Sequence, residues 1–300
     1  MELLRTIRPD EASADYLYAR IRSRRSRLEI SGSDERSAGG EPRQMLRDQY
    51  HWVYRRLNRR LRAQLRPVFE YEELRTVMLA LRYLAARDRS ALAATVNGSL
   101  LNRSLGRAVT GSARVATAVA ALERLLAEDY PFCRGLAEIY LKQGPGGLEQ
   151  AINGGYLRQT VGSVRPPALR LYFRYLVSMR NLLALYKHLH WKLPLPPPLI
   201  EGGEIDLGRF NRIWAEQDLP GVARLARKLT GRDEDPFQAG LEEMLCRGLA
   251  ERLRLAGRDP LQIGVLLDYL WRCRMAARNR GLRINRSRAS EAQEDLEFGL

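Results

Sequence analysis

Between Tyr71 and Asp88 the segment "YEELRTVMLALRYLAARD" places Leu74, Val77, Met78, Leu81 and Leu84 about one turn apart, an apolar face behind an acidic first turn. This periodicity is what most limits the fold. It recurs along the chain, and no run alternates convincingly at period two, so sheet is not expected. "MLRDQYHWVYRRLNRRLRAQL" (45–65) reads as one amphipathic helix, with Met45, Tyr50, Val53, Leu57, Leu61 and Leu65 opposite an arginine face. Further helices are expected over 12–28, 90–102, 112–128, 131–142, 146–153, 166–192, 207–215, 219–229, 236–256 and 260–280. The expectation is an all-α protein.

The punctuation between helices divides the chain. "SGSDERSAGGEPRQ" (31–44) has no apolar face and reads as a mobile insertion. "QGPGG" (143–147) and "PLPPPLIEGGEI" (194–205) end helices, because proline removes a donor and restricts the residue before it. The second break marks a lobe boundary. The tail "SRASEAQEDLEFGL" (287–300) turns from basic to acidic and is expected to fray or form one short helix.

Charge narrows the partners without naming one. The formal net charge is +15, and apart from Lys142, Lys187, Lys192 and Lys228 the basic residues are all arginine. A balance this basic favours polyanions, whether nucleic acid, an anionic membrane surface or an acidic protein. The arginine skew is explained equally well by arginine having replaced lysine through base composition, with the charge spread over solvated helix faces. The densest clusters, "ARIRSRRSR" (19–27), "YRRLNRRLRAQLR" (54–66) and "ARNRGLRINRSR" (277–288), lie far apart. In a nucleic-acid reading the first two would track phosphates while Trp52 or Tyr54 stacks on bases.

Catalytic and metal signatures are missing from the sequence. Cys133, Cys246 and Cys273 form no C-x-x-C pair and read as buried free thiols. His188 and His190 point to different sides of a helix, and no ligand cluster accompanies them. No phosphate-binding glycine loop, dinucleotide fingerprint or nucleophile elbow occurs, and "GRDEDP" (231–236) reads as a loop with a helix-start aspartate. The sequence therefore implies a non-enzyme without cofactor or metal. It also lacks an apolar run of membrane-spanning length, and the start "MELLRTIRPDEASADY" is too acidic for a signal or transit peptide, so a cytoplasmic chain is expected.

Three helices share a Leu-rich lead-in, a mid-helix polar residue and an arginine just before it. In register they place Arg75–Thr76, Arg180–Asn181 and Arg278–Asn279 together, with separations 181 − 76 = 105 and 279 − 181 = 98. A basic residue follows six positions later in the first two, Arg82 and Lys187. Asparagine is a poor mid-helix residue and needs a hydrogen-bonding reason to sit there. A structural joint repeated in three lobes, 1–108, 109–205 and 206–300, supplies that reason.

The stretch "YLVSMRNLLALYKHLHWKLPLPPPLIEGGEI" resembles a segment of the C-type rotor subunit of archaeal and bacterial A/V-type ATPases, the d subunit of vacuolar ATPases. There D-x-x-N-l-x-x-l-x-R precedes a connector ending in a Gly-Gly-x-Ile-like turn, here Gly202, Gly203 and Ile205. "DYLYARIRSRRSRL" (15–28) is similar to the opening helix of that family, with Tyr18, Arg20 and Arg22 in matching places, and "PLQIGVLLDYLWRCRMAARN" (260–279) resembles the closing one. The sequence departs from the pattern at Ser178 and Ala276, where the family has an acid, and at Thr76, where it has the asparagine; Glu73 keeps the first acid. The resemblance implies a divergent, non-catalytic rotor adaptor built as a three-lobed helical funnel. Its partners would be central-stalk subunits and a membrane rotor ring, on the cytoplasmic face, with anionic lipid headgroups as a further contact.

Overall fold

The computed structural model describes residues 2–8, 14–30, 41–259 and 262–297, with backbone alone for 26–30 and 285–297. Its regular structure is helical: α1 (Ala14–Ile30), α2 (Pro42–Arg56), α3 (Arg59–Ala85), α4 (Arg89–Asn97), α5 (Arg103–Thr110), α6 (Val115–Leu126), a 3₁₀ turn (Pro131–Cys133), α7 (Leu136–Ser163), α8 (Pro167–His190), α9 (Leu207–Ala215), α10 (Leu219–Thr230), α11 (Pro236–Ala239), α12 (Leu241–Ala256) and α13 (Gly264–Glu297). Among the described residues no strand forms. One isolated antiparallel bridge joins Leu4 to Leu101. The protein is all-α.

The expected insertion at 31–44 falls mostly outside the described residues, although α2 already includes 42–44. The tail is helical to Glu297, and 298–300 lie outside the described residues.

Boundaries differ from the sequence expectation in several places: α5 has no expected counterpart, α7 runs to Ser163 and crosses the expected stop at 143–147 with a kink at Gly144, and α13 continues past 280. Three further differences have a tertiary reason. The continuous helix expected over 45–65 breaks at Leu57 and Asn58. Leu57 turns extended, with ψ 130°, and is fully buried. Helix α3 instead runs on through Pro67. A proline inside a helix removes one backbone hydrogen bond, at a cost of about 3 kcal/mol. Burial of Leu65, Val68 and Phe69 around it offsets that cost, at roughly 1.5–3 kcal/mol for each large apolar side chain. The helix expected over 236–256 is cut by Gly240, whose φ of +84° no L-residue adopts easily.

The chain divides into two compact units, residues 1–8 with 60–252 and residues 9–59 with 253–300. In the larger, α5 packs on α6, α6 on α7, α7 on α8, and α8 on both α9 and α10. The segment before α1 is tied to the chain after α4: Arg5 N donates to Leu100 O at 2.8 Å and Asn102 N to Leu3 O at 2.8 Å. In the smaller unit α1 and α2 both pack on α13. There Asp268, fully buried, accepts from Arg25 and Arg272, each at 3.0 Å, while Gln49 Oε1 accepts from the Tyr269 hydroxyl at 2.7 Å and from Arg24 at 3.0 Å.

A duplicated joint as the candidate functional site

Helix α8 starts at Pro167, suited to a first helical turn because the absent N–H has no partner to lose there. It carries Ser178 and Asn181 one turn apart, both buried. Asn181 binds one residue of the following connector twice. Its Nδ2 donates to Ile200 O at 2.8 Å, and its Oδ1 accepts from Ile200 N at 2.9 Å. Ser178 Oγ accepts from Glu204 N at 2.7 Å and from Ile205 N at 3.2 Å. An extended connector cannot satisfy its own backbone, so buried polar side chains on the helix supply the partners.

The glycines make the approach possible. Gly202 sits at φ +90°, and a Cβ on Gly203 would lie 2.6 Å from Ser178 Oγ. Arg252 of α12 holds the far side, donating to the Glu204 carboxylate and, at 2.7 Å, to Leu229 O, with its guanidinium 5.1 Å from the centre of the Tyr175 ring. Tyr175 in turn donates to Leu245 O at 2.8 Å.

Helix α3 repeats half of this device. The Glu73 carboxylate accepts from Leu100 N at 2.9 Å, so a buried side-chain oxygen again receives an N–H 27 residues downstream: 100 − 73 = 27 and 205 − 178 = 27. Ser178 thus performs with a hydroxyl the accepting role that Glu73 performs with a carboxylate. The asparagine clamp has no second copy among the described residues. Thr76 turns its hydroxyl back onto Glu72 O at 3.3 Å, within its own helix.

The correspondence continues past the joint. Asn102 and Asp206 cap α5 and α9 through Ser104 N and Gly208 N, and 206 − 102 = 104. Helices α6 and α10 each have 12 residues and begin 219 − 115 = 104 apart. Then P-F-x-x-G-L-x-E occurs at 131–138 and again at 236–243, a shift of 105. Its glycines, Gly135 and Gly240, take φ of +79° and +84° immediately before α7 and α12. A search confined to helix interiors passes over this pattern because it straddles a break. At Gly135 a Cβ would meet nothing within 4 Å, so Gly135→Ala carries only the left-handed backbone penalty, about 1 kcal/mol; Gly240, at ψ 107°, lies outside even that well, and Gly240→Ala is expected to cost about 2 kcal/mol. Urea denaturation of both variants tests the order, and equal costs would contradict it.

The other residues of the expected joint are placed as follows. Arg75 is exposed and lies 4.0 Å from Glu72; Arg82 is exposed and pairs with Glu149; Lys187 is exposed. Arg180 donates to the Tyr71 hydroxyl at 3.2 Å. On α13, Arg278 is half-buried and Asn279 exposed, and among the described residues of that helix Asp268 is a fully buried charged group.

One polar cluster has no sequence signature at all. Glu70, buried in α3, accepts from Arg66 Nε at 2.7 Å, from the Tyr130 hydroxyl, and from the Tyr156 hydroxyl at 3.1 Å. Burial, followed by the neighbouring Glu70 charge, pushes both tyrosines above their usual range. Their protons stay on, and the cluster is a bracket linking residues 66, 70, 130 and 156 rather than a reactive centre. The cysteines are buried and free; burial pushes the Cys133 and Cys273 thiols up to about 12, which leaves them unreactive at neutral pH. His188 Nδ1 is 2.9 Å from Leu195 O, and His190 stacks on Tyr186.

No protein-family model matches the chain, and no curated protein matches it. No described helix is long and apolar enough to cross a membrane.

Proposed function

We propose that this chain is a divergent member of the family formed by the C-type rotor subunit of A/V-type ATPases and the d subunit of vacuolar ATPases, and serves as a non-catalytic central-rotor adaptor. The observation that carries this reading is the duplicated joint: a helix whose buried acceptor grips a connector 27 residues on, followed by a capped short helix, a 12-residue helix and the P-F-x-x-G-L-x-E turn. Repetition of the joint supports the lobed architecture that the resemblance implies, and the reading requires a third copy in 206–300, where Asn279 is exposed. Torque transfer requires a stiff body, and connectors pinned to helices by buried hydrogen bonds provide stiffness at the points where a helical chain would otherwise flex. The chain would link central-stalk subunits to the membrane rotor ring on its cytoplasmic face without a cofactor.

The test is affinity purification of the tagged chain from detergent-solubilised membranes of its own host. Recovery of ring and central-stalk subunits is expected, and Asn181→Ala should reduce it. Recovery of the chain without any rotary ATPase component, together with normal ATP-driven ion pumping in a strain lacking it, would sink the assignment.

A second reading, polyanion binding, draws on one feature of the smaller unit. Trp52 is surrounded by Arg24, Arg56 and Arg20, at 3.8, 4.8 and 5.8 Å from its ring centre. The same geometry weakens a base-stacking version of that reading. Arg24 already covers the indole, and Tyr54 is buried. Any such binding would be to phosphates, and therefore steeply salt-dependent.

A further inference from the structure

The chain between α4 and α5, together with the segment before α1, encloses an open recess of about 280 Å³. Arg5, Arg103 and Arg107 line it, with Asn97, Asn102 and Thr110 as the neutral polar groups, and no carboxylate is in the lining. Arg5 reaches it from the N-terminal segment, with its guanidinium donating to Ser99 O. Arg103 and Arg107 stand four apart on α5, both exposed, and neither makes an ion pair among the described residues. Like charges at this spacing on a helix repel each other, by roughly as much as opposite ones attract. Arg103 and Arg107 face one small volume beside Arg5, whose charge Glu73 partly offsets, and an anion would relieve the two α5 guanidiniums.

One wall of the recess lies outside the duplicated scaffold. With the shift of 105, α4 would correspond to 194–202, which is the extended connector after α8 and contains no helix. The wall carrying Val96 and Asn97 therefore exists in one copy alone, and the joint forms in the other without it. Aligned on their caps, Asn102 and Asp206, α5 and α9 set Leu207 and Asn211 opposite Arg103 and Arg107, so stability of the repeated unit does not explain those two arginines.

We propose that this recess binds a phosphate monoester, as a small soluble phosphate compound or as the headgroup of an anionic lipid. The volume lies just under the range of pockets for drug-sized ligands, which fits one phosphoryl group with a small substituent. Guanidinium forks suit phosphate oxygens because they donate two parallel charge-assisted hydrogen bonds, and the two cations on α5 match a dianion better than a singly charged carboxylate. Asn97 and Asn102 add neutral polar groups at the rim.

The experiment uses the full chain with two probes: inorganic phosphate followed by calorimetry, and sedimentation with phosphatidylcholine vesicles with or without phosphatidic acid. Saturable binding of inorganic phosphate identifies a soluble ligand. Binding only to vesicles carrying phosphatidic acid identifies the headgroup. In either case the double variant Arg103→Gln/Arg107→Gln should weaken binding by about tenfold or more. A control, Arg158→Gln/Arg170→Gln, removes the same charge from exposed positions elsewhere and should leave affinity unchanged. Absence of saturable binding to both probes would overturn the proposal. So would equal loss in the two double variants, which would make the effect one of net charge. All four substitutions are at exposed positions, and an unchanged circular dichroism spectrum verifies that the variants fold.

Discussion

Asn181→Ala is expected to destabilise the larger unit by about 3 kcal/mol, and amide exchange at Ile200 is expected to accelerate sharply. Both backbone groups of Ile200, which is 6% exposed, have Asn181 as their hydrogen-bond partner. Truncation leaves an N–H and a C=O buried without partners, each costing about 1–3 kcal/mol before the connector relaxes. Asn181→Asp does not rescue it: the carboxylate still accepts from Ile200 N but sets a buried negative charge against Ile200 O. Lys187→Ala, six residues along and exposed, serves as control and should stay within about 0.5 kcal/mol of the parent. Urea denaturation gives the total and hydrogen exchange locates it. A change below about 1 kcal/mol, less than one orphaned backbone group should cost, with unaltered exchange at Ile200, would mean that the connector is held by its apolar contacts instead.

The second large effect is a pH dependence at the other joint. Burial raises the Glu73 carboxyl to about 7, with Glu72 adding to the rise and the Leu100 N–H, Thr76 and Arg5 opposing it. Its second oxygen is buried with no hydrogen-bond partner. In the unfolded chain the same group titrates near 4.5. Between those values the folded protein keeps a proton that the unfolded chain has lost. Stability contributed by this group is therefore present below about 4.5, falls as the pH rises to about 7, and is flat above. At 1.36 kcal/mol per unit the loss is about 3 kcal/mol. Glu73→Gln keeps an acceptor for Leu100 N and cannot ionise, so its stability should vary less over this window and exceed the parent's at alkaline pH. Glu72 is also raised by burial and slopes the same way, which is why the comparison must be between parent and variant. Parallel pH profiles for the two proteins would show that Glu73 ionises normally.

Much of the helical layout is legible in the sequence. Helix α9 covers 207–215 as expected, α10 differs by one residue from 219–229, and α8 lies within 166–192. These helices have strong stop and start signals: Asp206 and Asp218 accept from the N–H groups of Gly208 and Gly221, and prolines follow α8 closely. Asn181 stands out for a sound physical reason, since a helix interior offers asparagine no partner of its own. Its partner is not legible. Nothing in the pattern of Ile200 distinguishes it from other apolar connector residues, and the serine at 178 reads as a missing acid although its hydroxyl receives two N–H groups. The bracket of Glu70, Tyr130 and Tyr156 is invisible because its members are 60 and 26 residues apart and none is unusual alone.

By itself the sequence determined that the chain is helical, that its charge is basic, and that a polar position recurs in leucine-rich helices 105 residues apart, because periodicity, charge and spacing are properties of the chain written in one dimension. Only the tertiary structure decided where α3 passes through Pro67, why the chain breaks at Leu57, and that Glu73 and Ser178 perform the same task with different chemistry. Those outcomes depend on which buried backbone groups lack a partner, and that is known only once the chain has folded around them.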